Sequence, residues 1–121
     1  MPAGRRRPFE TGICGLDYRV AFADQEWQPA LGGTARLKRM VRGGKVFRLV
    51  ELTPASAHPH WCEVGHVGMI VEGDLELAFD GDMVRLSAGD ALCIPHGSAD
   101  RHRPRALTER ALMFLIEDEA R

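Results

Sequence analysis

The fold class is decided by residues 75–86, which read LELAFDGDMVRL. The first five residues alternate between large apolar side chains and charged or small ones, and this period of two is typical of a strand with one buried face. The DGD triplet at residues 80–82 predicts a turn, and the residues after it predict a second strand at 83–86. We therefore expect a β-hairpin in the second half of the chain.

Short strands separated by turn residues continue on both sides of this hairpin. Further strands are expected at residues 37–41, 46–52, 66–71, 91–95 and 111–116. The pair Gly43-Gly44 predicts one of the tight turns between them. Turn residues recur about every eight to twelve residues, which favours an all-β sandwich or barrel. Only residues 107–113 are compatible with a helix, and they lack a good N-terminal cap.

Length and charge narrow the class of protein. A chain of 121 residues is expected to form one domain. Its 16 basic and 17 acidic residues give a net charge of −1, which offers no electrostatic basis for binding nucleic acid or acidic lipid. A basic run at residues 5–7 is interpreted as a solvated end of the chain.

The sequence predicts a cytoplasmic protein. No apolar run approaches the roughly 18 residues needed to span a membrane, and the N-terminus lacks the apolar stretch of a signal peptide. The three cysteines are odd in number and lack paired spacing, so they do not indicate a disulfide framework. Cys93 lies in an apolar run and is expected in the core, whereas Cys62 lies close to several histidines.

Two segments carry the polar residues of interest. The first contains His58, His60, Glu63, His66 and Gly73. The second reads GDALCIPHG at residues 89–97 and is followed by Asp100 and His102.

Together the two segments resemble the two conserved motifs of the cupin superfamily. The first motif of that family has two histidines one residue apart, then a glutamate and a glycine. The second has a glycine, a proline, a glycine and a histidine, and residues 89–97 match its spacing.

The resemblance, which covers residues 37–116, implies a double-stranded β-barrel, or jelly roll. It assigns residues 31–121 to the barrel domain and residues 1–30 to an extended N-terminal segment, a candidate dimer contact. Small cupins commonly pair, so the resemblance also implies a homodimer. The usual metal ligands of the family are three histidines and one glutamate.

Two departures from the family pattern determine the expected metal site. His66 occupies the glutamate position of the first motif, and Asp100 occupies the histidine position of the second motif. Three imidazoles and one carboxylate are retained, so we predict a site for one divalent transition metal ion: Fe, Mn, Ni or Zn. Its expected ligands are His58, His60, His66 and Asp100. His102 is the alternative fourth ligand, in which case Asp100 would orient it. In a strand, His58 and His60 point to the same face.

Two hypotheses about function follow. The first is a metal-dependent enzyme of the dioxygenase, isomerase or lyase type that acts on a small organic molecule, with Glu63, His96 or His102 as general base. The second is a non-catalytic module that binds a small ligand, which the altered set of metal ligands favours. Neither hypothesis involves nucleic acid or a membrane.

Overall fold

The computed structural model describes residues 18–58 and 60–119. Over these residues the chain forms nine β-strands joined by turns and loops. The strands are β1 (Gln28–Ala30), β2 (Ala35–Arg42), β3 (Lys45–Leu52), β4 (His66–Glu72), β5 (Asp74–Phe79), β6 (Asp82–Ser87), β7 (Ala91–Ile94), β8 (His102–Ala106) and β9 (Ala111–Asp118). Short 3-10 turns lie at Phe22–Asp24, Leu31–Gly33 and Ser98–Asp100. The basic run at residues 5–7 lies outside the described residues.

The strands form two antiparallel sheets. One sheet has the strand order β1-β2-β3-β9-β4-β7, and the other has the order β6-β5-β8. Two antiparallel sheets packed over one core are the architecture of a jelly roll, so the predicted all-β, double-stranded barrel is confirmed. Within residues 18–58 and 60–119, no helix is long and apolar enough to cross a membrane.

Strands β5 and β6 form the hairpin that the alternating stretch predicts. They pair in register from Asp74 opposite Ser87 to Phe79 opposite Asp82. The apolar side chains of β5 at positions 75 and 77 are buried, as the alternation requires. Gly81 adopts a φ of 82° in the turn, a left-handed conformation that glycine takes without steric cost.

The hydrophobic core lies between the inner faces of the two sheets. Leu52 of β3, Ile70 of β4 and Leu75 of β5 are fully buried, so the core joins both sheets. Cys93, which we expected in the core, is exposed instead. It lies on β7 between two buried residues, because the pleat of a strand sends every second side chain to the opposite face.

Gly73 joins β4 to β5 at a point where only glycine fits. Its φ is 81°, and a Cβ atom there would lie 2.1 Å from the backbone oxygen of Arg110. This close approach fixes the start of β5 against the loop before β9. The glycine of the first motif is therefore a structural requirement of the fold.

Residues 107–113 do not form a helix. The backbone N–H of Asp74 donates to the hydroxyl of Thr108, and this hydroxyl donates to the backbone oxygen of Arg110, so residues 107–110 form a bend. Strand β9 then begins at Ala111 and pairs with both β3 and β4. Pairing on two edges satisfies the backbone of β9 over nearly its whole length, and this tertiary context overrides the local helical propensity.

The sheet begins before the expected domain boundary. Strand β1 lies within the segment assigned to residues 1–30, yet it pairs with β2 through Gln28 and its neighbours. Phe22 also packs edge-on against Phe114 of β9, with ring centroids 6.1 Å apart. Described residues of the N-terminal segment therefore cover part of the outer face of the larger sheet. The division at residue 31 stays a prediction.

Candidate metal centre

A cavity of about 350 Å³ opens between the two sheets. Most of its wall is apolar. The residues that can ionise and that line it are Arg48, His58, His60, Cys62, His66 and His102. Among the described residues, no aspartate or glutamate lines this cavity. Its volume lies at the lower end of the range of about 300–1,000 Å³ that small-molecule pockets occupy.

Three of these residues bring their side chains together. Cys62, His66 and His102, called here the Cys–His cluster, offer one ligand atom each, and these atoms lie within 4.8 Å of one another. The Sγ of Cys62 lies 3.7 Å from Nε2 of His66. His102 is buried, and its ring contacts that of His66 edge-on at 5.1 Å between centroids.

Backbone pairing explains how residues distant in sequence meet in this cluster. The N–H of Cys62 donates to the carbonyl oxygen of His102, and the N–H of His102 donates to that of Cys62, each over 2.9 Å. This isolated antiparallel bridge ties the loop before β4 to the start of β8. His66 is the first residue of β4, so the loop returns to the same end of the cavity.

In both histidines of the cluster, the ring nitrogen that points away from Cys62 lies beside an oxygen atom. The Nδ1 of His66 lies 2.8 Å from Oε2 of Glu117, an ion-pair contact that is not aligned as a linear hydrogen bond. The Nδ1 of His102 donates to the backbone oxygen of Asp100 over 2.9 Å. The Nε2 of His102 is buried and has no hydrogen-bond partner. An oxygen acceptor on one nitrogen and a free, buried second nitrogen are the usual environment of a metal-binding histidine.

Glu117 connects the cluster to Arg48. Its Oε1 accepts a hydrogen bond from Nε of Arg48 over 3.1 Å, while Oε2 faces His66. Burial favours the neutral carboxyl, but His66 and Arg48 outweigh this and lower the pKa of Glu117 below its ordinary value of 4.5. The carboxylate is therefore charged at neutral pH and holds the imidazole in place.

The cluster also changes the ionisation of its own members. The imidazoles of His102 and His66 beside the sulfur favour the thiolate and lower the pKa of Cys62 to about 6. Burial disfavours a charged His66, but Cys62 and Glu117 outweigh it and raise the pKa of His66 to about 9. Before any ion binds, Cys62 is therefore mainly a thiolate at neutral pH, and the thiolate is the form of cysteine that ligates metals.

The distance between Cys62 and His66 fits two ligands of one transition metal ion. A sulfur at about 2.3 Å and an imidazole nitrogen at about 2.05 Å from a tetrahedral ion lie about 3.6 Å apart, close to the 3.7 Å between Cys62 and His66. One thiolate and two imidazoles suit Zn, Fe, Ni or Cu better than Mn, which prefers oxygen ligands. Three protein ligands leave a coordination position open, as catalytic sites do.

Comparison with known proteins agrees with this architecture. The sequence matches the family model described as Cupin domain over residues 48–116. This chain belongs to the cupin family. The match contains all three residues of the Cys–His cluster.

Solved structures show the same barrel. KdgF from Halomonas sp. is 25% identical with a TM-score of 0.67, and the match covers 82% of this chain and 90% of that one. A cupin-2 domain containing protein from Shewanella frigidimarina is 26% identical with a TM-score of 0.57, covering 83% and 94%. A Cupin 2 conserved barrel domain protein from Salinispora arenicola is 19% identical with a TM-score of 0.62, covering 87% and 90%, which shows the fold alone. No curated protein sequence matches this cupin significantly.

The structure separates the four expected ligands of this cupin. His66 joins the Cys–His cluster, and so does the alternative ligand His102. His58 and His60 line the same cavity but do not belong to the cluster. Asp100 places its backbone oxygen, rather than its carboxylate, on His102. Which of these residues bind a metal ion stays a prediction.

Two of the expected general bases lie outside the cavity. Glu63 is exposed, and its backbone oxygen accepts a hydrogen bond from Gly97. His96 lines a separate depression of about 300 Å³ beside Glu117, and its Nδ1 accepts a hydrogen bond from the N–H of Gly65. Neither side chain faces the space where a ligand of the main cavity would lie.

Sequence reasoning left Cys62 without a role. Two signals could have found it: it follows His60 by two residues, the spacing of the paired ligands in the first motif, and it precedes His66 by four. The motif was instead aligned on His58 and His60. Because thiolate and imidazole are both common metal ligands, a cysteine at a motif histidine position keeps the chemistry of the site.

Proposed function

We propose that this cupin is a metal-dependent enzyme that acts on a small organic molecule, with the ion held by Cys62, His66 and His102. One observation carries the assignment: three side chains that can ligate a metal ion converge at the wall of a mainly apolar cavity. Uncompensated polar atoms are costly to bury, and a bound ion would satisfy the buried Nε2 of His102.

The chain's own groups would prepare this site in three ways. Glu117 and the backbone oxygen of Asp100 orient the two imidazoles so that their Nε2 atoms face the thiolate. The apolar wall excludes water from around the reacting end of a ligand. A bound ion would supply Lewis-acid polarisation of a substrate oxygen and, in the case of iron, redox chemistry.

His58 is the proton acceptor that the cavity supports best. Its Nε2 is buried without a hydrogen-bond partner, and the side chain lines the cavity. Burial and, secondly, the positive charge of Arg103 lower the pKa of His58 below its ordinary value of 6.5. The imidazole is therefore neutral at pH 7 and able to accept a proton.

Metal analysis of matched variants tests the ion site. Purified protein should bind about one Zn, Fe or Ni ion per chain, and C62S and H102A should each lose it. C93S is the matched control, because Cys93 is exposed on β7, away from the cavity. Cobalt loading should give a thiolate-to-cobalt absorption band that C93S keeps and C62S lacks. A wild-type protein that takes up none of these ions would overturn the metal site.

Turnover separates an enzyme from a binding module. Metal-loaded protein should convert members of a panel of small acids, phenols and sugars, followed by mass spectrometry and by oxygen uptake. H58A should lower turnover while keeping the cobalt band. If ligands raise the melting temperature of loaded protein but none is converted, the non-catalytic module is the better description.

We also propose that the protein forms a homodimer through the outer face of the larger sheet. On β4, Val67, Met69 and Val71 are each about half exposed although they are apolar, and Val67 lies beside Ile116 of β9. Charged side chains of both signs lie near this apolar face, including the ion pair of Lys45 and Asp118. A copy related by a two-fold axis could cover the apolar strip and match acid to base at its rim.

Sedimentation velocity tests the dimer with a matched pair of variants. M69E should convert the dimer to a monomer, because it places a charge in the centre of the strip. M83E is the control, since Met83 is equally apolar and 55% exposed but lies on β6 of the other sheet. A wild-type monomer at micromolar concentration would contradict this interface.

We propose a cytoplasmic location for the protein. Cys62 and Cys93 are both free cysteines. A cysteine that binds a metal ion must stay reduced, and thiols stay reduced in the cytoplasm. Fractionation of cells that express the natural chain tests this, and recovery from an oxidising compartment with Cys62 in a disulfide would contradict it.

A further inference from the structure

Outside the Cys–His cluster, the described residues of the cavity wall carry one permanent charge. Among the described residues that line it, Arg48 is the single guanidinium, and none is acidic. The apolar lining comes from both sheets: Leu37, Val50, Leu77, Leu92, Met113 and Leu115. Apart from Arg48, the histidines and Cys62, the wall is mainly apolar, and such a space is complementary to an anion with an apolar body.

Arg48 is held in a position to bind such an anion. Its Nε is fixed by Glu117, and its side chain is 30% exposed. Within the described chain, no side-chain hydrogen bond engages its two terminal nitrogens. A guanidinium fixed at Nε still presents donors in a planar fork, which matches the two oxygens of a carboxylate.

With a divalent ion bound, the charged groups around the cavity would have a net charge of about +1. Arg48 and Glu117 neutralise one another, and a divalent ion bound by the Cys62 thiolate retains one positive charge. A monocarboxylate would bring the sum to zero. Because buried charges are costly unless balanced, this count favours an anion with one charge over a neutral ligand.

Further cations lie beside the cavity lining at Trp61. The guanidinium of Arg103 lies 4.2 Å from the ring centroid of Trp61, and that of Arg101 lies 5.1 Å from it. Trp61 itself lines the cavity. Positive charge beside the site would raise the local concentration of anionic ligands and speed their association.

We infer that the ligand of this cavity is a small carboxylic acid with an apolar body, whose carboxylate binds Arg48 and whose remaining part lies against the apolar wall near the Cys–His cluster. The inference rests on the proposed function, because the ion is what places the reacting end of the ligand. It adds a substrate class and a residue that determines specificity.

Paired probes test the anion preference. Hexanoate and phenylacetate should bind cobalt-loaded wild-type protein, followed by calorimetry and by a shift of the cobalt band, and their primary amides should bind at least about tenfold more weakly. R48M should weaken binding of the acids by about 10- to 100-fold, because a charge-assisted hydrogen-bonded pair is lost. Binding of the amides should stay unchanged in R48M.

Two further variants keep this test informative. R48K retains the positive charge but not the planar set of guanidinium donors, so its affinity for the acids should fall several-fold. This variant also replaces R48M in the test if R48M folds poorly. R105M is the matched control, since Arg105 is an exposed arginine that pairs with Glu76 and does not line the cavity. R105M should bind the acids as wild type does. Amides that bind as tightly as the acids, or unchanged affinity for the acids in R48M, would overturn the assignment.

Metal uptake and acid binding, measured side by side, distinguish failure of this inference from failure of the metal-enzyme proposal. If wild-type protein takes up no ion yet binds phenylacetate in an Arg48-dependent way, the metal site is wrong and the acid preference stands. If wild-type protein binds an ion that C62S loses but does not discriminate acids from amides, the acid preference is wrong and the metal site stands.

Discussion

Each face of the six-stranded sheet carries a carboxylate between two basic side chains, but the two carboxylates have different surroundings. On the inner face, the carboxylate of Glu117 lies between Arg48 and His66. On the outer face, the carboxylate of Glu51 lies between Arg36 and Arg110. The inner carboxylate orients an imidazole whose other nitrogen points into a cavity, whereas the outer one joins two partly exposed arginines. The two ion pairs therefore differ in their surroundings, since only the inner one includes residues that line the cavity.

Apolar side chains differ between the faces in the same way. Ile70 and Met69 are neighbours on β4, yet Ile70 is fully buried and Met69 is 45% exposed. The inner face therefore supplies most of the hydrophobic free energy, and the outer face holds apolar area that a partner could still cover.

The largest effect on stability is expected from this neighbouring pair. Ile70→Ala should lower the free energy of unfolding by about 2–5 kcal/mol, since it removes buried methyl groups and leaves a cavity. Met69→Ala should lower it by less than about 1 kcal/mol in the monomer. Urea denaturation at low protein concentration compares them, and equal losses would contradict the assignment of the two faces.

The second prediction compares the two carboxylates by their effect on metal affinity. Glu117→Gln should weaken metal binding by about 10- to 100-fold, because it removes the charged acceptor on His66. Glu51→Gln should leave metal affinity unchanged, since Glu51 lies on the other face. Competition with a chromophoric chelator measures both. Equal affinities in the two variants would show that Glu117 does not orient a ligand.

A third, smaller effect is expected on the pH dependence of stability. The hydrogen bond from Arg36 is the main cause that lowers the pKa of Glu51 below its ordinary value of 4.5 in the folded chain, and Arg110 adds to it against the opposing effect of burial. A lowered pKa stabilises the fold above about pH 4.5, and this contribution disappears as the pH falls through the lower, folded value.

Glu51→Gln should therefore destabilise the protein at pH 7 by about 1 kcal/mol or less, because water screens the partly exposed arginines. The difference from wild type should vanish in strongly acidic solution. Thermal unfolding between pH 2 and 7 measures it. A penalty that persists undiminished at the lowest pH would show that packing of the side chain, not its charge, is responsible.

The smallest effect is expected at the solvated ion pair of Lys45 and Asp118. The two charged groups lie 2.6 Å apart, but both side chains are more than half exposed. Lys45→Ala should change the free energy of unfolding by less than about 0.5 kcal/mol, and added salt should reduce even that. A loss above about 1 kcal/mol would mean that exposure on the outer face is not a guide to the strength of its ion pairs.

Much of the fold could be predicted because its signals are local. Alternation at residues 75–79 and the turn at residues 80–82 identify β5 and β6 without reference to the rest of the chain. The sequence does not predict strands β1 and β8: β1 is three residues long, and β8 contains Pro104 and three polar residues. Such strands exist because a neighbouring strand offers hydrogen bonds, which composition does not reveal.

The candidate site could be predicted only in part. His66 and His102 were identified as candidates, but the pairing of His58 with His60 assumed a strand, in which alternate residues share a face. Residues 53–58 and 60–65 lie between β3 and β4, outside the strands of either sheet, so that period does not apply. The loop instead takes its course from the bridge between Cys62 and His102.

By itself, the sequence determined the class of architecture and the residues available for chemistry. Apolar alternation and turn residues act within a few positions of one another, so they favour short antiparallel strands wherever the chain lies. The tertiary structure alone decided which ligating atoms meet and which carboxylate contacts one of their imidazoles. The physical reason is that cross-strand hydrogen bonds join residues far apart in the chain, and the register of that pairing sets the direction of every side chain on the strand.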